Sequence, residues 1–357
     1  MVYQSNKALH PGFTIQRMLD SLGMTQKKLS ERTGLSEKHL SQLINGEVLI
    51  TADTALLLEN ALDGNASYWM NLDKNYRETR ARIEQDERVM NEIHLLSNFP
   101  YNDLVKEKQV PDTRIKAERV KGLWKFFGVN SLDYIPNTEA VAYRRRDGAG
   151  VKSEALASWL RLGEIRAMEL DSKIGFSYYT DSALKESLSD IRSMTATHER
   201  VFFEKLQEKL ANAGVGLVAV SHFKNTQVHG ATRWLGGNPI IQLSIYGKDA
   251  DKFWFTLFHE IGHILQHGKK QQFLEFTKAE KSNEEQEADI FARRALISDS
   301  EYGEFIRNGD YSELAISKFA NTQGISKGII VGRLKRDGLV PYQQFQHLHE
   351  KLVMVQD

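Results

Sequence analysis

The sequence predicts a mainly α-helical protein that contains a small β-sheet. Apolar residues recur at helical spacing over most of the chain, and short β-type runs are confined to residues 215–245. At 357 residues the chain is too long for one ordinary core, so several domains are expected. We place them at residues 1–97 (an all-α head), 98–212 (a helical connector), 213–300 (an α+β core) and 301–357 (a helical extension).

Composition and charge restrict the possible classes of function. Hydrophobic residues make up 41% and charged residues 26% of the chain, as in ordinary globular proteins. Basic and acidic residues number 47 each, which argues against a polybasic nucleic-acid coat but not against a small recognition element. Without cysteine, any metal must have nitrogen and oxygen ligands. The start has no signal-peptide core, and no stretch approaches ~18 apolar residues, so we expect a cytoplasmic protein without a membrane partner.

The expected elements follow from periodicity and from turn residues. Gly23, Gly34 and Gly46 divide the head into short helices. The basic segment 143–150 (YRRRDGAG) is interpreted as a solvated loop. The further expected helices are Asn71–Glu92, Ser153–Leu170, Ser182–Ala211, Asp249–Gln266 and Ser282–Leu296, and the expected strands are Val215–Val220, Gln227–Leu235 and Pro239–Ile245.

Residues 24–46 (MTQKKLSERTGLSEKHLSQLING) have the layout of a helix-turn-helix. The first helix begins at Gln26 and buries Leu29, Gly34 makes the turn, and Ser36 is a natural N-cap for the second helix. The second helix of such a motif lies in the major groove of DNA. We therefore expect DNA contacts from its outward residues and from the start of the first helix, namely Gln26, Glu37, Lys38, Ser41 and Gln42. A plain three-helix packing motif would show the same leucine pattern.

The head also resembles a known family. From His10-Pro11-Gly12 through Gly46 to Trp69 and Leu72, it is similar to the HigA-type antitoxins of the lambda-repressor-like class. The resemblance implies DNA-contacting positions at Gln26, Glu37, Lys38 and Gln42, although Glu37 departs from the glutamine often found there. A unit of this size contacts one half-site, so we expect a homodimer on double-stranded operator DNA.

A metal-binding pattern lies in residues 253–267 (FWFTLFHEIGHILQH). On a helix, His259 and His263 are four residues apart and share a face, so both can bind one ion. Glu260 lies beside them, where it can take a proton from water. Two buried core histidines are the structural alternative. His267 is ~6 Å further along the helix and is interpreted as a helix-end or supporting residue.

A catalytic zinc site needs a third protein ligand. In the acidic helix SNEEQEADIFARRAL, Glu285 and Asp289 are four apart and share a face. We expect one carboxylate to bind the metal and the other to orient a histidine. Glu284 and Glu287 are rival ligands whose simpler interpretation is solvent-facing charge.

These residues resemble the ImmA/IrrE metallopeptidases, with a similarity that runs from about Gly214 to Leu296. The resemblance implies a zincin-like fold in which Glu285 is the third ligand of Zn²⁺ beside His259 and His263. The expected site is then these three ligands, Glu260 as general base and Asp289 as the supporting carboxylate. Members of that family cut repressors of the helix-turn-helix type, which makes a repressor or a toxin the expected protein partner.

Three functions remain open at this point. The first is a DNA-binding regulator or antitoxin with an active zinc peptidase. The second is a silent sensor that binds a toxin or ligand through the same fold, and the third is a housekeeping peptidase whose head only dimerises. Residues 227–234 are interpreted either as an exposed edge strand that binds a peptide through Arg233 or as a structural hairpin. Residues 315–334 are interpreted either as a second helix-turn-helix or as a helical lid over the peptidase core.

Overall fold

The computed structural model describes residues 8–137, 152–196, 202–223, 226, 228–245, 249–268, 273–276 and 283–351. The predicted loop at residues 143–150 lies outside them. The chain divides into two compact units, one made of Met1–His94 with Ile115–Lys121 and the other of Leu95–Arg114 with Gly122–Asp357. The predicted fold class, mainly helical with a small sheet, is confirmed.

The first unit is all-α. Its helices are α1 (Pro11–Ser21), α2 (Gln26–Thr33), α3 (Glu37–Asn45), α4 (Ala52–Ala61) and α5 (Ala66–Glu92). Side chains cap the starts of α2 and α3, because Thr25 Oγ1 accepts from the amide of Lys28 and Ser36 Oγ accepts from that of His39. Its core is formed by the following apolar residues: Ile15, Leu19, Leu29, Leu40, Leu43, Ile50, Ala55, Leu58, Leu62 and Trp69.

The second unit is built around a four-stranded sheet. Its strands are β1 (Gly216–Ser221), β2 (Val228–Leu235), β3 (Asn238–Ile245) and β4 (Phe273–Phe276). The strand order is β1-β3-β2-β4, with β1 parallel to β3 and β2 antiparallel to both of its neighbours. The strand β4 has no counterpart among the predicted elements.

The helices of this unit are α6 (Tyr101–Lys106), α7 (Lys116–Phe127, which begins in the first unit), α8 (Ser153–Ile174), α9 (Asp181–Ser193), α10 (Phe202–Asn212), α11 (Ala250–His267), α12 (Asn283–Leu296), α13 (Asp299–Asn308), α14 (Glu313–Gln323) and α15 (Lys327–Arg336). Those from α9 to α15 form one apolar core with the sheet. Ala167 of α8 packs in a separate cluster with Val218 of β1 and Ile240 of β3. Among the described helices, none combines the length and the hydropathy needed to cross a membrane.

One expectation about these elements was wrong. The predicted helix Ser182–Ala211 is interrupted, because α9 ends at Ser193 and a 3₁₀ turn at Met194–Ala196 follows it. For residues 227–234 the structure agrees with the hairpin alternative, because β2 pairs antiparallel with β3. From Gly230 to Thr232 the backbone of β2 also pairs with β4, so a peptide cannot add to this part of the strand.

Candidate functional sites

The helix α11 carries the predicted metal-binding motif into the core of the second unit. Its buried apolar side chains pack against the sheet and the neighbouring helices, and they are Trp254, Leu257, Phe258, Ile261 and Ile264. This packing buries the polar motif as well, since His259 and Glu260 are 0% exposed and His263 is 1% exposed. Buried polar side chains need partners, and the surrounding elements supply them.

The helix α12 approaches α11 closely at Gly262. A Cβ atom at this position would lie 3.1 Å from Cδ1 of Phe291 and 3.2 Å from Cα of Ala288. The glycine in the middle of the motif therefore allows the two helices to pack without a side chain between them. This close approach brings the carboxylates of α12 to the histidines of α11.

Three potential ligand atoms converge between these helices. Nε2 of His259 lies 3.0 Å from Nε2 of His263 and 3.1 Å from Oε2 of Glu285, and Nε2 of His263 lies 3.3 Å from Oε1 of Glu285. Ligands about 2.0 Å from a tetrahedral zinc ion are about 3.3 Å from one another. The side chains of His259, His263 and Glu285 therefore fit a zinc ion, and among the described residues they form the group able to hold a metal.

Asp289 supports His259 from the opposite side of the imidazole ring. Its Oδ1 lies 3.0 Å from Nδ1 of His259, and a carboxylate only accepts hydrogen bonds. Nδ1 therefore donates to Asp289, and this contact directs Nε2 at the carboxylate of Glu285. With the ring neutral, the lone pair of Nε2 would face a carboxylate oxygen, and a cation between the two atoms would remove their repulsion.

The protonation states agree with a metal-binding role. Burial lowers the pKa of His263 below its usual 6.5, although Glu285 acts in the opposite direction. Burial raises the pKa of Glu285, but hydrogen bonds from His259 and His263 together with their charge outweigh it and bring this pKa down to about 2. At neutral pH the imidazole of His263 is then neutral and the carboxyl group of Glu285 ionised, as metal coordination requires.

The carboxylate of Glu260 is held by the strand β2. The hydroxyl of Thr232 donates to Oε2 of Glu260 at 2.6 Å, and Thr232 is itself buried. Gly230 leaves room for the other oxygen, because a Cβ atom there would overlap Oε1 of Glu260. Thr232 was not among the predicted site residues, because no local sequence pattern shows that β2 lies against α11.

Other predicted residues lie outside the group of three. The ring centroid of His267 is 5.3 Å from that of His263, and its Nε2 is 3.9 Å from Oε2 of Glu287, which is exposed. Glu284 is half-buried and is not part of the group. The guanidinium of Arg233 donates to the backbone carbonyl of Leu160 at 2.8 Å, so its side chain contacts the protein itself.

The helix α3 presents the predicted DNA-contacting residues. The exposed residues on α3 are Glu37, Lys38 and Ser41, and Gln42 on the same helix is half-buried. Gln26 is exposed at the start of α2. Nε2 of Gln26 donates to Oε1 of Gln16 on α1 at 3.3 Å, and Nε2 of Gln16 donates to Oδ1 of Asp20 at 2.8 Å. This chain of hydrogen bonds orients Gln26, and no sequence pattern pointed to Gln16.

Comparisons with known proteins agree with the two-part organisation. Residues 15–69 match the helix-turn-helix family model, and residues 201–335 match the model of the IrrE N-terminal-like domain. The chain is 32% identical over 96 residues to virulence-associated protein I of Dichelobacter nodosus, which covers 27% of this chain and 87% of that protein. It is 34% identical over 74 residues to the antitoxin HigA-1 of Vibrio cholerae serotype O1, which covers 20% of this chain and 70% of that protein.

Proposed function

The chain belongs to the helix-turn-helix family of the HigA antitoxin type and carries an IrrE N-terminal-like domain, and from that premise we propose that it is a transcriptional regulator with a zinc-dependent peptidase domain. It binds double-stranded operator DNA as a homodimer through α3. The peptidase domain acts on a partner protein, a toxin or a repressor, in a toxin–antitoxin, prophage or stress-response circuit. The domain boundaries at residues 97, 212 and 300 stay predictions.

The observation that carries the peptidase proposal is the convergence of the three ligand atoms. His259, His263 and Glu285 offer two nitrogens and a carboxylate with separations of 3.0 to 3.3 Å. Two histidines and a glutamate form a known catalytic zinc set that leaves a fourth position open. Bound there, zinc would polarise a peptide carbonyl and make water easier to deprotonate.

The protein's own residues then perform the proton transfers. Glu260 accepts the proton of the attacking water and delivers it to the amine that leaves. Asp289 keeps the proton on Nδ1 of His259 and so turns Nε2 towards the ligand group. The hydroxyl of Thr232 fixes the position of the Glu260 carboxylate.

A cleavage experiment tests this proposal. The purified parent protein and the Glu260→Gln variant are each incubated with the protein encoded by the neighbouring gene, and fragments are analysed by mass spectrometry. We expect discrete fragments with the parent protein and none with the variant, with equal zinc content in both. Fragments of equal yield in both samples would exclude Glu260 as the general base.

A second candidate function is a catalytically inactive, zinc-bound sensor that binds a toxin or ligand without cleaving it. The burial of the motif favours it, because His259, Glu260 and His263 are at most 1% exposed and Glu260 is bonded to Thr232. Burial of this kind limits the access of a peptide to the three ligands. Binding of the partner that depends on zinc, without any fragments from the parent protein, would support the sensor over the peptidase.

A further inference from the structure

Arg336, the last residue of α15, contacts the aspartate that supports the candidate metal site. Its Nη2 lies 2.8 Å from Oδ2 of Asp289, while Oδ1 of the same carboxylate lies 3.0 Å from Nδ1 of His259. The two oxygens of Asp289 are thus engaged from opposite sides. A continuous polar chain runs from α15 through α12 to the metal-binding helix α11.

The guanidinium of Arg336 also contacts α11 directly. It lies 4.8 Å from the ring centroid of Phe255, and the ring of Phe255 is 6.4 Å from that of His259, one turn along the helix. A guanidinium over an aromatic face is attracted by the ring. Arg336 is therefore fixed against both helices that supply the ligand atoms.

Burial differs between the two partners of this ion pair. The side chain of Asp289 is 6% exposed, whereas that of Arg336 is 43% exposed. A carboxylate so deeply buried is costly without a cation, so its orientation depends on its partners. The arginine, by contrast, is partly accessible from solvent, so it can be substituted without leaving a cavity in the core.

The segment that carries Arg336 is attached to the start of α11 as well. Nζ of Lys335 lies 2.8 Å from Nε2 of His349, and Nδ1 of His349 lies 3.2 Å from Oδ1 of Asp251 in the first turn of α11. The amide of Ala250 donates to the carbonyl of Glu350 at 3.0 Å. The position of α15 is thereby coupled to the helix that bears His259 and His263.

We propose that Arg336 is a positioning residue of the metal centre. By holding Asp289 it keeps the proton on Nδ1 of His259 and directs Nε2 into the ligand group. The match to the IrrE N-terminal-like domain ends at residue 335, so this role lies just beyond the matched region. The inference rests on the proposed function, because it assigns Arg336 to the same zinc site.

The first test measures zinc affinity of the full chain by competition with a chromophoric chelator. We expect Arg336→Ala to bind zinc about tenfold more weakly, which is the lower end of the range for partners of metal ligands. Arg336→Lys should recover part of the affinity, because it keeps the positive charge but loses the planar guanidinium group. The matched control is Arg294→Ala, which removes an exposed arginine of α12 that pairs with Asp299 instead.

A double substitution tests whether Arg336 acts through Asp289. In an Asp289→Ala background, Arg336→Ala should cause no further loss of zinc affinity, because the contact that transmits the effect is already absent. An additional tenfold loss in that background would mean that Arg336 acts by another route. Affinity of Arg336→Ala equal to that of Arg294→Ala would overturn the proposal.

A readout on the metal-free protein separates this proposal from the proposed function. The ¹⁵N signals of the His259 ring report which nitrogen carries the proton. We expect the Nδ1 proton of His259, held in its hydrogen bond to Asp289, to exchange slowly with solvent in the parent protein and faster in Arg336→Ala, with thermal unfolding near that of Arg294→Ala. If the parent protein binds no zinc, the proposed function fails. Equally slow exchange of this proton in Arg336→Ala contradicts the positioning role independently.

Discussion

Thr232 donates a hydrogen bond of 2.6 Å from its hydroxyl to Oε2 of Glu260, and both side chains are buried. The contact joins the strand β2 to the helix α11, and its two residues are 28 positions apart in the sequence. It fixes the carboxylate that we propose as the general base. Removal of the Thr232 hydroxyl therefore tests this contact.

The variant Thr232→Val removes this donor and keeps the shape of the side chain. We expect the free energy of unfolding to fall by about 1–3 kcal/mol, because a buried carboxylate oxygen loses its hydrogen bond. Thr232→Ser keeps the hydroxyl and should retain most of the stability. The measurement is equilibrium unfolding in denaturant, and equal stability of the valine variant and the parent protein would show that the hydrogen bond does not contribute.

A second prediction concerns the close approach of α11 and α12. In Gly262→Ala, the added Cβ lies 3.2 Å from Cα of Ala288, so backbone has to move to accommodate it. We expect a loss of about 1–3 kcal/mol of stability from overpacking, together with weaker zinc binding. Gly303→Ala is the control, because the nearest atom to its Cβ is Nη1 of Arg307 at 3.7 Å. Wild-type zinc affinity in Gly262→Ala would mean that the helix spacing does not set the ligand geometry.

The third prediction compares the acidic residues of α12. Glu285→Ala should weaken zinc binding far more than Glu284→Ala or Glu287→Ala, because Glu285 is the one placed beside both histidines. The two other variants serve as matched controls for the loss of a negative charge. Zinc titration of the three purified variants shows which carboxylate is the metal ligand. Loss of zinc on substitution of Glu287 alone would show that the ligand has been assigned wrongly.

A fourth prediction follows from the pKa of His10. Burial lowers this pKa below 6.5, and Nδ1 of His10 accepts from the amide of Gly12 at 2.8 Å, which a protonated Nδ1 cannot do. A lowered folded-state pKa means that the contribution to stability is complete above 6.5 and is lost as the pH falls through the folded-state value.

The measurement is amide hydrogen exchange at Gly12 across this pH range, corrected for the intrinsic rate. Protection should fall as the pH drops below 6.5. In His10→Asn the N-cap acceptor does not titrate, so protection should stay constant. Parallel pH profiles in the two proteins would contradict the assigned role of His10.

The fifth prediction concerns the helix α3. We expect Lys38→Ala and Gln42→Ala each to cost about 1–3 kcal/mol of binding to an inverted repeat upstream of the gene, with no change in zinc content. Since the net charge of the chain is zero, attraction to nonspecific DNA should be modest. Titrations on this DNA and on a scrambled duplex provide the comparison, and equal affinity for both would identify the head as a protein-interaction module.

The sequence predicted the features that depend on local spacing. His259 and His263, and likewise Glu285 and Asp289, share a helix face because each pair is four residues apart, and the structure brings both faces together. The cap at Ser36 and the leucine core of the head are local in the same sense, whereas the cap at Thr25 was not predicted.

Contacts between distant segments could not be predicted in this way. The pairing of β4 with β2, the contact of Arg233 with Leu160 and the contact of Arg336 with Asp289 each join residues that are far apart in sequence. A single sequence contains no periodicity that reports such pairs. A peptide-binding role therefore stayed open as an alternative for Arg233 of β2, whose side chain in the structure donates to a carbonyl of α8.

Zinc content of the purified chain decides whether the metal centre exists. We expect about one zinc ion per chain in the parent protein and in Glu260→Gln, and an empty site in His259→Ala and in His263→Ala. Elemental analysis after exhaustive dialysis provides the measurement, with unfolding curves to show that the variants fold. A parent protein without zinc, or histidine variants that retain a full equivalent, would contradict the assignment of His259, His263 and Glu285 as a metal centre.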